Sequence, residues 1–123
     1  MKILLVDDSR TTRRVQLCAL AEVGLKEVCE AEDGVEALHW LGRMDFELLI
    51  VDWNMPNMDG LTLVQNIRGK GNRVPILMCT TEAERPRVIE AIKAGVNDYI
   101  TKPFENRALQ AKVLRFAPNE RLI

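Results

Sequence analysis

Short apolar runs alternate with longer amphipathic segments along this chain. Strand-like runs occupy residues 2–6, 26–30, 48–51, 74–79 and 98–101, and a segment of helical length follows each of these five. The third and fourth runs are nearly all apolar, as strands covered on both faces should be. In the intervening segments apolar residues recur at helical spacing: Val35, Leu38 and Leu41; Leu61, Val64 and Ile67; Val88, Ile89 and Ile92; Leu109, Val113 and Phe116. These stripes predict core-facing helices. The first helix, over 9–23, is apolar almost all round between Val15 and Ala21, which implies either deeper burial or contact with a partner. Gly24, Gly34, Gly60 and Gly95 stand at segment ends, where turns and caps need them.

Strand and helix in strict alternation predict a single α/β domain with a mostly parallel sheet, its crossover helices covering both faces. The length of 123 residues fits one such core. A hydrophobic content of 47% with 28% charged residues excludes disorder and membrane bias, and a net charge of −1 supplies no general attraction to nucleic acid. No apolar stretch approaches the ~20 residues that span a bilayer, and the chain starts on a strand-like run rather than a secretion signal, so it reads as cytoplasmic. Cys18, Cys29 and Cys79 lack the spacing of a metal or redox motif and read as core filler in a reducing compartment. His39 reads as a helix-surface residue.

The candidate chemistry lies at strand ends. The first run leads into Asp7-Asp8 and the third into Asp52, so strands pointing the same way bring three carboxylates to one edge. Aspartates after strands also serve as plain turn and cap residues. Three together repel, at roughly 4 kcal/mol per pair at 4 Å in an effective dielectric near 20, and call for a cation. In an open parallel sheet this edge, where strand order reverses, is also where ligands bind. Carboxylate oxygens suit Mg2+, which commonly shares its site with phosphate oxygens. One carboxylate could then act as a phosphoryl nucleophile. Thr80-Thr81 and Lys102, at the ends of the fourth and fifth runs, offer a hydroxyl and a charge to hold phosphoryl oxygens. Lys102 precedes Pro103, where a cis peptide is accessible and would turn the lysine toward the edge.

Other chemistries fit less well. A calcium loop starting at Asp52 would place Pro56 at a ligand position, and Gly69-Lys70-Gly71 lacks the spacing of a phosphate-cradling loop. A phosphatase of the haloacid-dehalogenase kind needs a second acid two residues after its nucleophile. Asn54 stands there, and an amide cannot shuttle the proton.

Taken together, Val6-Asp7-Asp8, Ala31-Glu32-Asp33-Gly34, the run from Asp52 through Trp53, Asn54 and Pro56 to Asp59-Gly60, Thr80, and Tyr99 with Lys102-Pro103-Phe104 resemble response-regulator receiver domains, those of chemotaxis signalling among them. The resemblance spans nearly the whole chain. It implies one receiver domain over residues 1–123, with a doubly wound (βα)5 flavodoxin-like fold and a five-stranded parallel sheet in the order 2-1-3-4-5. It implies that Asp52 accepts a phosphoryl group from a sensor histidine kinase, with small acyl phosphates as alternative donors. Asp8, Asp52 and the backbone carbonyl of Asn54 would ligate Mg2+, Asp7 would act largely through bound water, and Lys102 and Thr80 would contact the phosphoryl group. Tyr99 would turn inward as Thr80 moves, changing the surface made by the fourth helix, fifth strand and fifth helix. Asn54 and Glu82 would modulate loss of the phosphoryl group and leave it short-lived.

The function so implied is a stand-alone signalling monomer rather than an enzyme, with a downstream protein target and a phosphatase as further partners. The flagellar motor switch is the candidate target. Ser9, Thr101 and Glu84-Arg85-Pro86 depart from the chemotaxis members' pattern, partly on the expected output face. A phosphorelay shuttle, a receiver from a longer regulator, a Mg2+-dependent phosphatase and a flavin-binding protein of the same fold are the alternatives.

Overall fold

The computed structural model describes residues 1–81 and 83–117. Five strands, β1 (Ile3–Val6), β2 (Val28–Ala31), β3 (Leu48–Asp52), β4 (Ile76–Thr80) and β5 (Asp98–Thr101), alternate with five helices. The helices are α1 (Arg10–Glu22), α2 (Gly34–Leu41), α3 (Gly60–Gly69), α4 (Val88–Ala94) and α5 (Asn106–Leu114), with a short 3-10 turn at Arg85–Arg87 before α4. All strand pairs are parallel, in the order β2-β1-β3-β4-β5. Strand order therefore reverses between β1 and β3, which opens the crevice of the doubly wound fold there.

Alternation along the strands divides the core into two layers. Leu4, Val6, Leu49, Val51, Ile76 and Met78 face α2, α3 and α4, where Ala37, Leu63, Ile67 and Ala91 complete the packing. Ile3, Leu5, Leu48, Ile50, Leu77 and Ile100 face α1 and α5, against Ala19, Leu20, Leu109 and Val113. Three helices begin on side-chain caps that the sequence carries at their starts. Ser9, Asp33 and Asp59 accept from the backbone N–H groups of Thr12, Glu36 and Thr62.

Several expectations need correction. The second strand starts at Val28, because Lys26 and Glu27 are exposed and the Glu27 backbone joins the sheet only by accepting from the Ile3 N–H. Val35, Ile89 and Ile92 are exposed rather than core-facing. Ala37 and Ala91 are the fully buried residues of α2 and α4 beside Gly34 and Val88, while Leu38, Trp40 and Leu41 pack on the core half-buried. On α1 the apolar run is split: Ala19 and Leu20 are buried, Val15 and Cys18 are exposed, and Arg13 and Gln16 lie inside instead. Only Cys79 of the three cysteines is fully buried. His39 is exposed, as read.

Candidate functional site

Strand register assembles the site before any side chain is considered. Val6 pairs with Val51, so Asp7 and Asp52, each one residue further on, stand side by side at the sheet's edge. Asp52 pairs with Cys79 and Thr80 with Thr101, so Thr80 and Lys102 follow at the same edge. Gly60 closes the loop after β3. Its N–H donates to the Trp53 carbonyl at 2.7 Å, and a Cβ there would lie 2.5 Å from the Asp52 carbonyl oxygen, so only glycine fits.

The carboxylates converge as the sequence implied. Asp7, Asp8 and Asp52 each offer an oxygen within 4.8 Å of the others, with Asp7 and Asp52 buried and Asp8 exposed. Lys102 Nζ lies 3.1 Å from Asp7 Oδ2 and 3.1 Å from Asp52 Oδ1, so one ammonium bridges the two buried acids. The Lys102–Pro103 peptide is cis. Burial, and then the neighbouring Asp7 carboxylate, push the Asp52 carboxyl up to about 6 against the opposing pull of Lys102. Burial alone would lower the Lys102 ammonium, but Asp52 and Asp7 outweigh it and raise it. A single lysine thus leaves the acids undercompensated. An all-oxygen donor set of this charge fits a hard divalent cation such as Mg2+.

Thr80 is fully buried, and its hydroxyl has no hydrogen-bond partner among the described residues. An unpaired buried hydroxyl costs free energy and leaves a donor free for an incoming oxygen. Tyr99, beside Met78 in the β4 to β5 register, is half-buried against the same sheet face. The Lys112 ammonium, which also pairs with Asp98 at 3.1 Å, sits 5.7 Å above its ring. Asn54 is exposed at the mouth of the site, and its Nδ2 donates to Glu84 Oε2 at 2.9 Å. Glu82 lies outside the described residues.

Sequence reasoning missed two residues. Arg13 is buried beneath the acidic turn, where it donates to the Asp7 backbone carbonyl and pairs with Glu30 at 2.9 Å. Ser9 holds the same turn from above through its N–H to Asp7 Oδ1 at 2.8 Å. Arg13 lies in the polar first turns of α1, between Thr12 and Arg14, where nothing in the residue pattern sets it apart from the exposed Arg14. Glu84 is the second. Burial raises its carboxyl, but hydrogen bonds from Thr81 and Asn54 and the Lys102 charge outweigh this and hold it below the usual carboxylate range. Its available signal was only the three-residue spacing from Thr81, which lets the two side chains meet across one turn.

Comparison with known proteins places these observations among relatives. The family described as the response regulator receiver domain matches residues 3–114. The chain is 46% identical to chemotaxis protein CheY-3 of Vibrio cholerae, over 92% of this chain and 88% of that one. It is 48% identical to chemotaxis protein CheY1 of Helicobacter pylori, over 92% and 94%. Among solved structures, the chemotaxis response regulator CheY4 of Vibrio cholerae superposes with a TM-score of 0.86 at 35% identity, over 94% of this chain and 98% of that one. The receiver domain of the Francisella response regulator 1452 gives 0.87 at 29% identity, over 94% of each chain. Among the described residues no helix is long and apolar enough to cross a membrane.

Proposed function

The chain belongs to the response regulator receiver domain family, and from that premise we propose that it is a chemotaxis-type signalling receiver, its residues 1–123 forming one receiver domain, switched by phosphorylation of Asp52. The observation that carries this reading is a pair of unsatisfied features at Asp52: its buried carboxylate and that of Asp7 share one lysine, and the buried Thr80 hydroxyl has no partner among the described residues. Both become satisfied when a cation and a phosphoryl group arrive.

In this reading a carboxylate oxygen of Asp52 attacks the phosphorus of a phosphohistidine on a sensor histidine kinase. The P–N bond breaks, the histidine nitrogen leaves, and an acyl phosphate remains. Asp8, Asp52 and the Asn54 backbone carbonyl would hold Mg2+, with Asp7 supporting it through water, and the ion would screen the carboxylates from the incoming phosphoryl charge. Lys102 already lies beside Asp52 and would pair with a phosphoryl oxygen in place of a carboxylate. Thr80 would donate its hydroxyl to another. Phosphorylation adds up to about two negative charges, so these new bonds favour one arrangement of Thr80 and Tyr99 over the other.

That arrangement would be read at α4, β5 and α5, where Ile89, Ile92 and Leu114 are exposed. A protein target preferring the phosphorylated surface must in turn favour the phosphorylated state. The relatives are chemotaxis proteins by name; in this reading the target is a flagellar motor switch, and a separate phosphatase terminates the signal. The protein acts in the cytoplasm and needs neither nucleic acid nor membrane. A pull-down with beryllofluoride-treated protein tests the output side. A target retained by treated protein and lost with Asp52→Asn is expected; equal retention by both contradicts the switch.

A further inference from the structure

Glu84 is only 6% exposed, and its carboxylate accepts three hydrogen bonds. Two come from Thr81, from the backbone N–H to Oε1 at 3.0 Å and from the hydroxyl to Oε2 at 2.7 Å. The tight turn after β4 accounts for these, since the Glu84 and Arg85 N–H groups donate to the Thr81 carbonyl and bring the two side chains together. The third bond has no such local reason. Asn54 Nδ2 donates to Oε2 at 2.9 Å, and this ties the loop after β4 to the loop after β3. Asn54 stands two residues beyond Asp52, and the Lys102 charge beside Asp52 also acts on Glu84.

An ionised carboxylate only accepts hydrogen bonds, whereas a side-chain amide has a donating end and an accepting end. Glu84 therefore selects the amino end of Asn54. The carbonyl oxygen Oδ1 is left as the acceptor of that amide. We propose that Glu84 is a positioning residue for loss of the phosphoryl group: by holding the amino end of Asn54 it leaves Oδ1 to orient the water that attacks the Asp52 acyl phosphate. In that step the water oxygen bonds to phosphorus and the bond from phosphorus to the Asp52 oxygen breaks. The carboxylate is regenerated, and the water proton leaves on inorganic phosphate or to solvent. The inference rests on Asp52 being the acceptor.

The test follows phosphoryl loss after full-length protein is labelled with an acyl phosphate and Mg2+ and the donor is removed. Glu84→Ala should lengthen the lifetime roughly three- to ten-fold, the equivalent of one net hydrogen bond. Glu84→Gln keeps an acceptor oxygen and should restore most of the native rate. Glu84→Lys would take Oδ1 instead and should slow loss at least as much as alanine. In an Asn54→Ala background, Glu84→Ala should have no further effect. The paired side-chain amide resonances of Asn54 report the hold directly, and in unphosphorylated Glu84→Ala they should move toward those of a free amide. An unchanged lifetime in labelled Glu84→Ala, or an equal change without Asn54, overturns the role of Glu84 alone. Native protein that takes no label overturns the acceptor reading and this role with it, while the amide resonances still report whether Glu84 holds Asn54.

Discussion

The ammonium of Lys102 lies 3.1 Å from Asp52 Oδ1, although 50 residues separate the two in the chain, and it lies equally close to Asp7. It is the counter-charge that lets two buried acids coexist. Lys102→Ala should push the Asp52 carboxyl further above about 6, readable by NMR titration, because the opposing Lys102 pull is lost while burial and Asp7 remain. It should also slow phosphorylation roughly 100-fold, as loss of one preorganised electrostatic contact does. Native-like labelling kinetics would contradict this assignment.

The raised carboxyl of Asp52 sets a pH dependence for the metal-free protein. Its ordinary value is 3.8 and its folded value about 6, so the folded state binds this proton more tightly than the unfolded chain does. The resulting stabilisation is full below about pH 4 and disappears as pH rises through about 6, on the order of 3 kcal/mol from this group. Asp52→Asn removes the charge, so near pH 7 without metal it should be more stable than native, and the difference should shrink toward pH 4. Denaturant melts at both pH values check this.

Trp53, 1% exposed, follows Asp52 directly, with the Arg87 guanidinium 5.1 Å from its ring centre. In a Trp40→Phe background its emission should respond to millimolar Mg2+. Asp8→Asn should weaken that response on the order of ten- to a hundred-fold in affinity, at least what loss of an outer-shell partner costs a metal site. A response unchanged by Asp8→Asn would remove this residue from the site.

Thr80 and Gly60 separate signalling from stability. Thr80→Val replaces an unpaired buried hydroxyl with a methyl, so the unphosphorylated protein should be as stable as native or up to about 1 kcal/mol more so. Its binding to a phosphorylation-dependent target should nonetheless be lost. Gly60→Ala forces a Cβ against the Asp52 carbonyl and should cost about 1–3 kcal/mol in thermal or denaturant melts.

The sequence disclosed most where one physical constraint acted alone. Strands β3 and β4 are buried on both faces, and their unbroken apolar runs were readable from residue type. The convergence of Asp7, Asp8 and Asp52 followed from parallel strands alone, since register then brings their ends together. Boundaries were less readable at the edge strand β2, where Val28 and Cys29 are only half-buried and the pattern is weak. Helix faces misled where alanine took the close contact. Val88 is buried while Ile89 and Ile92 point outward, because the inward stripe of α4 runs through Val88 and Ala91. Arg13 and Glu84 were hidden for a different reason: their partners, Glu30 and Asn54, are 17 and 30 residues away.

The central claim is that Asp52 is a phosphoryl acceptor rather than part of a turnover enzyme. Intact-mass measurement after incubation with a small acyl phosphate and Mg2+ tests it most directly. The expected result is the gain of one phosphoryl group, mapped to Asp52, lost slowly to water and absent in Asp52→Asn. No labelling, or multiple turnover of a phosphate ester with no trapped acyl phosphate, would contradict it.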